Sequence, residues 1–358
     1  MQNQVGRGIT WSWATLSGFV LIYLLTMPRL ARSEDAESSA GPFHPECAAA
    51  FSNLPVNKYG EAIEISSSGK LSLVKEFFGM EDHYKKHSEQ YKLYDDKCFA
   101  KWGDLKPWTR DFLSNNAGVL FVDAPEGLIP KCSAFRFAEH FIVTAAHCLP
   151  GLPLVFRLFG SPHDSIAVEL PDINTFPDNV NDLGTPGVDT EDFAILRIGN
   201  VPLHFTWTQD SFSRDTLPQQ AIVVVSISIP AFYLSLGGKV ENWLSAVRFS
   251  RVYASQLNSS DKMEPPLNDP LLKEECLFHR SPTFGGMSGA PIVAVRRPDK
   301  PEAAPKFLVV GIHLRNGPLD ERDSTFSSLD KSHFCGDYPL FNVGIRIPTT
   351  VMQRVGKD

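Results

Sequence analysis

From about residue 117 onward the sequence predicts an all-β, barrel-type protein. Short apolar, β-branched runs alternate there with turn residues, as in Phe141–Thr144 and Phe307–Leu314. The chain also carries 27 prolines and 25 glycines, the punctuation that many short strands need. Its 358 residues are enough for one or two domains with a sizeable core.

Before that region lie two segments of different character. Arg7 precedes an apolar stretch from Trp11 to Met27, followed by Pro28 and a polar run from Arg29 to Ala40. Residues 1–32 therefore read as a secretory signal peptide. A single-pass signal anchor flanked by Arg29 and Arg32 is the alternative, because the small residues Ser38, Ser39 and Ala40 sit far from the apolar run. Either reading puts the remainder outside the cytosol, secreted or extracytoplasmic. Residues 33–105 form an N-terminal extension or propeptide. Its charged stretch from Leu71 to Lys101 is helix-like and predicts a small, mainly helical unit. His83 and His87 would share a helix face there, but without an assignable third ligand they read as a solvated face and not as a metal site.

Three local sequences in the β region carry chemistry. FIVTAAHCLP, residues 141–150, places His147 just after an apolar strand, where a tight turn holds an imidazole rigidly enough to serve as a general base. DTEDFAILRI, residues 189–198, puts Asp192 at the mouth of an alternating strand, within reach of such a histidine. GGMSGAP, residues 285–291, surrounds Ser288 with small residues. These permit a sharp turn, expose the hydroxyl, and aim the N–H groups of Gly286 and Ser288 at one point as an oxyanion hole. An α/β-hydrolase elbow fits poorly: position 290 is alanine where glycine is required, and the acid and histidine precede the serine instead of following it.

The order His147, Asp192, Ser288 resembles the chymotrypsin-like (trypsin-fold) serine peptidases. TAAHC at residues 144–148 matches that family's histidine motif, and Asp-Phe-Ala-Ile-Leu its aspartate motif, 45 residues after the histidine. The similarity covers about residues 106–358. It implies two six-stranded antiparallel β-barrels, a last barrel strand at Phe341–Ile347 and a C-terminal helix from Thr349. It also implies a disulfide between Cys132 and Cys148, 16 residues apart, bracketing the histidine strand. Of the six cysteines none forms a CxxC pair, which points to an oxidising compartment and three disulfides. Cys276 with Cys335 and Cys47 with Cys98 is one pairing of the remaining four; swapped pairings stay open.

Departures from the family define activation and specificity. Where digestive members carry an aspartate that receives a new N-terminus, this chain has Met287, and no Ile-Val-Gly-Gly start occurs near residue 106. The oxyanion hole is therefore expected to form without that switch. At the position of the trypsin pocket aspartate stands Pro282, followed by Thr283, and the strand FLVVGIHL delivers His313. Thr283 and His313 resemble the substrate-binding pair of glutamyl endopeptidases and of viral proteases that read Gln or Glu. Both side chains can donate hydrogen bonds to a carboxylate or amide oxygen.

Together these features predict a secreted or membrane-anchored serine endopeptidase with Glu, or Gln or Asp, preferred at P1. No cofactor or metal is required. The net charge of −7, with both signs interspersed, gives no reason to expect a nucleic acid or an anionic membrane surface, so the partner is a protein or peptide substrate. Membrane contact would come only through the N-terminal anchor. The competing reading is a catalytically silent protease-fold binding or scaffold protein, its work done by residues 33–105 or by insertions near 259–275 and 318–339. Asn258 begins a glycosylation sequon in the first of these loops.

Overall fold

Residue placement is described by a computed structural model over residues 45–55, 82–124, 127–149, 153–169, 189–215, 221–227, 234, 247–253, 275–279, 283, 286–296, 304–315, 335 and 342–357. Residues 1–44, including the expected signal peptide or anchor, the Asn258 sequon, Pro282 and most of the two expected insertions lie outside the described residues.

The N-terminal part is built from helix α1 (Pro45–Ser52), helix α2 (Ser88–Cys98), strand β1 (Phe99–Lys101) and helix α3 (Pro107–Ser114). Along α2, Tyr91 and Tyr94 are three residues apart and so share the buried face, while the intervening Lys92 and Leu93 are exposed. Cys98 at the end of this helix is disulfide-bonded to Cys47 of α1. Pro107 opens α3 at a position where its missing N–H costs no helical hydrogen bond.

Six antiparallel strands then close a barrel: β2 (Ala117–Ala124), β3 (Gly127–Ala138), β4 (Phe141–Thr144), β5 (Leu154–Leu158), β6 (Ser161–Glu169) and β7 (Ala194–Ile198). Their order around the barrel is β2-β3-β4-β7-β6-β5. β6 shows the half-buried alternation of such a wall, with Ile166 and Val168 inward between exposed neighbours. β2 is buried almost throughout, because it faces the barrel interior on one side and is covered by other elements on the other.

The next six strands are β8 (Ala221–Ile227), β9 (Val247–Tyr253), β10 (Cys276–His279), β11 (Pro291–Arg296), β12 (Lys306–Arg315) and β13 (Asn342–Arg346), and helix α4 (Thr349–Arg354) follows. All-β architecture, two antiparallel sheets and a C-terminal helix are thus as expected. The second sheet has a feature the sequence reading lacked. Its order is β1-β9-β8-β11-β12-β13-β10, so β1 of the extension pairs with β9 through Phe99↔Ser250, Ala100↔Phe249 and Lys101↔Arg248. A bare β9 edge would leave a row of backbone donors and acceptors unpaired, and β1 satisfies them. The extension is also in the core: Cys47, Ala50, Tyr84, Tyr91, Tyr94 and Phe99 belong to the same buried apolar cluster as the strands. Among the described residues no helix is long and apolar enough to cross a membrane.

Candidate active site

Strand register explains how residues 45 apart in sequence meet. Antiparallel pairing of β4 with β7 sets Thr144 opposite Ala194. The chain leaves β4 through a short 3-10 turn, Ala146–Cys148, and enters β7 from another, Asp189–Glu191. His147 and Asp192 therefore emerge at the same end of the barrel. Both carboxylate oxygens of Asp192 are engaged by His147: the backbone N–H donates to Oδ1 at 2.9 Å and ring Nδ1 lies 2.7 Å from Oδ2. Asp192 is only 4% exposed, whereas the imidazole keeps about a third of its surface in solvent. A buried carboxylate with two hydrogen bonds to one residue fixes the ring plane and puts the proton on Nδ1. Nε2 is then left to act as a base.

Ser288 sits in a tight loop leading into β11. Met287 O accepts from Ala290 N–H at 2.9 Å, and Gly286 and Gly289 adopt φ of 90° and 83°, a region that glycine enters at little cost. The loop is pressed onto β3 and the histidine turn. Ser133 N–H donates to Ser288 O at 2.8 Å, and Cys148 Sγ lies 3.8 Å from that carbonyl. A Cβ on Gly289 would stand 2.1 Å from Ser133 O and 2.3 Å from Thr144 Oγ1, so only glycine permits this approach. Cys148 is bonded to Cys132, which anchors the histidine turn to β3. Among the described residues no hydrogen bond joins the Ser288 hydroxyl to the imidazole.

The residues named for the pocket are both buried. His313 on β12 flanks the serine loop through its backbone: Gly289 N–H donates to His313 O at 2.7 Å, and His313 N–H to Ala290 O at 2.9 Å. Its side chain is 1% exposed and its Nδ1 lies 3.0 Å from Nε2 of His279 on β10. His279 is held neutral, its pKa well below the ordinary imidazole value, because burial disfavours the cation and His313 stands beside it. Thr283 accepts a 3.4 Å hydrogen bond at its carbonyl from the hydroxyl of Tyr94 on α2. Burial drives the Tyr94 phenol pKa upward, so it is a neutral donor. Neither His279 nor Tyr94 was singled out by sequence, since their partners lie 34 and 189 residues away.

Cysteine pairing follows the expected set, with Cys276 bonded to Cys335 as the third bridge. One group of metal-capable atoms occurs among the described residues, Cys132, His147 and Cys148, but its two sulfurs are joined as a disulfide and offer no thiolate. His83 and His87 lie with ring centroids 4.9 Å apart, and His83 Nε2 is 2.9 Å from the Tyr91 hydroxyl. Burial, then the neighbouring His87 and Lys86, lower the His83 pKa.

No family model matches the chain, and no curated protein matches it. Solved structures that align with it include a thermostable serine protease from an extremophilic microorganism, 16% identical with a TM-score of 0.37 over 68% of this chain and 95% of that one. Another is a protein named GrC, 14% identical with a TM-score of 0.40 over 72% of this chain and 95% of that one. Likenesses this weak add nothing to what the strands show by themselves.

Proposed function

We propose that the chain is a serine endopeptidase in which His147, Asp192 and Ser288 form the catalytic triad. The observation that carries this reading is the doubly bonded Asp192–His147 pair standing beside a loop that presents Ser288 from a tight glycine turn. In the proposed cycle His147 Nε2 takes the Ser288 hydroxyl proton as Oγ attacks a peptide carbonyl. Asp192 stabilises the imidazolium, and the N–H groups of Gly286 and Ser288 hold the oxyanion. The imidazolium then protonates the leaving amine, and a water activated by the same histidine releases the acyl group.

Specificity for Glu, or for Gln or Asp, is the finer part of the proposal. It rests on Thr283 and His313 lying beside the serine loop, and it requires one tautomer of the His279–His313 pair. If neutral His279 donates its Nε2 proton to His313 Nδ1, the remaining proton of His313 sits on Nε2, as a donor to a carboxylate or amide oxygen. The opposite arrangement would leave only an acceptor there. Three disulfides suit a secreted or extracytoplasmic protein. We further propose that residues 45–101 stay with the working enzyme instead of leaving as a propeptide, since they supply a sheet strand and part of the core.

A catalytically silent scaffold is the competing reading, and the missing bond between Ser288 and His147 is the observation on its side. Residues 33–358 and a Ser288→Ala control would be exposed to a fluorophosphonate probe and then to a peptide library. Labelling of the wild type alone, with cleavage after Glu, is the expected result. No labelling of either chain would refute the enzyme. Cleavage after Lys or Arg would refute the pocket while leaving the triad standing.

A further inference from the structure

We infer that Ser133 and Ser226 form a clamp that fixes the oxyanion-hole segment at Gly286, doing without charge what an N-terminal ammonium would do in a switched enzyme. The inference rests on the serine peptidase reading above. Ser133 belongs to β3 of the barrel and Ser226 to β8 of the second sheet, and both are almost wholly buried among apolar neighbours. Buried hydroxyls in such surroundings persist only when hydrogen-bonded. Here they bond to each other, and both reach the same acceptor: Gly286 O lies 3.1 Å from Ser133 Oγ and 3.4 Å from Ser226 Oγ. Two protons suffice for a chain in which one serine donates to the other and that one donates to the carbonyl.

The consequence is that three successive carbonyls of the nucleophile loop are held. Gly286 O is bound by the serine pair, Met287 O by Ala290 N–H, and Ser288 O by Ser133 N–H. In a trans peptide the N–H points opposite its carbonyl, so anchoring Met287 O also fixes the Ser288 N–H. Anchoring Gly286 O fixes the Met287 N–H in the same way, and the Gly286 N–H is set relative to that carbonyl by the rotations about the N–Cα and Cα–C bonds of Gly286, the first at φ of 90°. Met287 itself is buried in the core and carries no charge to exchange with an N-terminus. The two sheets thus hold the hole from either side, and Ser133 and Ser226 are positioning residues for it.

The test compares wild type with Ser133→Ala, Ser226→Ala and the double variant, all assayed well below their melting temperatures. Fluorophosphonate labelling rate and kcat are expected to fall roughly tenfold to a hundredfold in Ser133→Ala, less than for losing a hole donor outright. KM is expected to stay within about twofold. The double variant should be little worse than Ser133→Ala, as for two residues acting as a unit. A peptide aldehyde, which forms a tetrahedral adduct, should bind more weakly in proportion to kcat, while a product peptide binds unchanged. Should Ser133→Ala fail to fold, Ser226→Ala carries the test with the same split between aldehyde and product. Labelling within threefold of wild type in both single variants, or parallel loss of aldehyde and product binding, would overturn the clamp. Absence of labelling in the wild type would refute the peptidase reading itself, a distinguishable outcome.

Discussion

Replacing Asp192 by asparagine tests the histidine's tautomer with almost no change of shape. The wild-type carboxylate accepts two hydrogen bonds from His147, one from a backbone N–H at 2.9 Å and one from Nδ1 at 2.7 Å. An asparagine has one oxygen and one NH2 to set against those two positions. The backbone N–H can only donate, so the amide oxygen must face it, and the NH2 is then directed at Nδ1. To accept that bond Nδ1 must lose its proton, which moves to Nε2, the atom that has to receive the serine's proton. The base is thereby disabled while both hydrogen bonds persist, the second with its direction reversed. A loss of roughly ten thousandfold in the labelling rate follows from such a tautomer error. At about 1.4 kcal/mol per decade this amounts to about 5.5 kcal/mol of transition-state stabilisation. Labelling by a fluorophosphonate measures it without presuming a substrate, and a thermal melt shows whether the fold has survived. A folded Asp192→Asn variant that labels within tenfold of wild type, beside an inert Ser288→Ala, would show that Asp192 does not set the tautomer.

Three further outcomes follow from the packing. Gly289→Ala forces a left-handed φ on alanine and drives its Cβ into Ser133 O and Thr144 Oγ1, so a loss of about 3 kcal/mol or more is expected in urea denaturation; a change below 1 kcal/mol would contradict the close approach. His279 binds a proton in the unfolded chain near pH 6.5 but resists it when folded. Its contribution to stability is thus complete above that pH and declines as pH falls toward the depressed folded value, by at most about 1.4 kcal/mol per pH unit. His279→Gln should lose less stability than wild type between pH 7 and pH 5, and equal losses would remove His279 from the account. A chain starting at residue 106 lacks β1 and the aromatic residues of α2; it should be insoluble or melt well below one starting at residue 42. Equal melting temperatures would show the extension to be dispensable.

What the sequence made legible was local, and the rest depended on long-range contacts. His147, Asp192 and Ser288 each stand in a short run whose residue types serve a nearby backbone need: a strand end, a strand mouth and a glycine turn. Each run alone reads as an ordinary turn or strand end, and it is their order, with the family resemblance, that makes them read as one site. The pairing of Cys132, on β3, with Cys148, in the turn after β4, was legible through the family resemblance. The clamp was not, because Ser133 and Ser226 are 93 residues apart, each a small polar residue inside an apolar strand. Nothing local tells a buried tie from a solvent-facing serine. β1 escaped for another reason: Phe99–Lys101 is too short to show a period of two, and its strand character comes from the open edge of β9. The same holds for Tyr94, which reads as part of a helix face until the helix is seen to lie beside Thr283. These tertiary features meet around one loop. Strand β3, the second sheet and the N-terminal extension each send a group to Thr283 or to the run from Gly286 to Ala290. On the proposed serine endopeptidase reading, a loop held from three sides has little need of a charged switch, and the buried Met287 fits the place where a switched enzyme requires an aspartate.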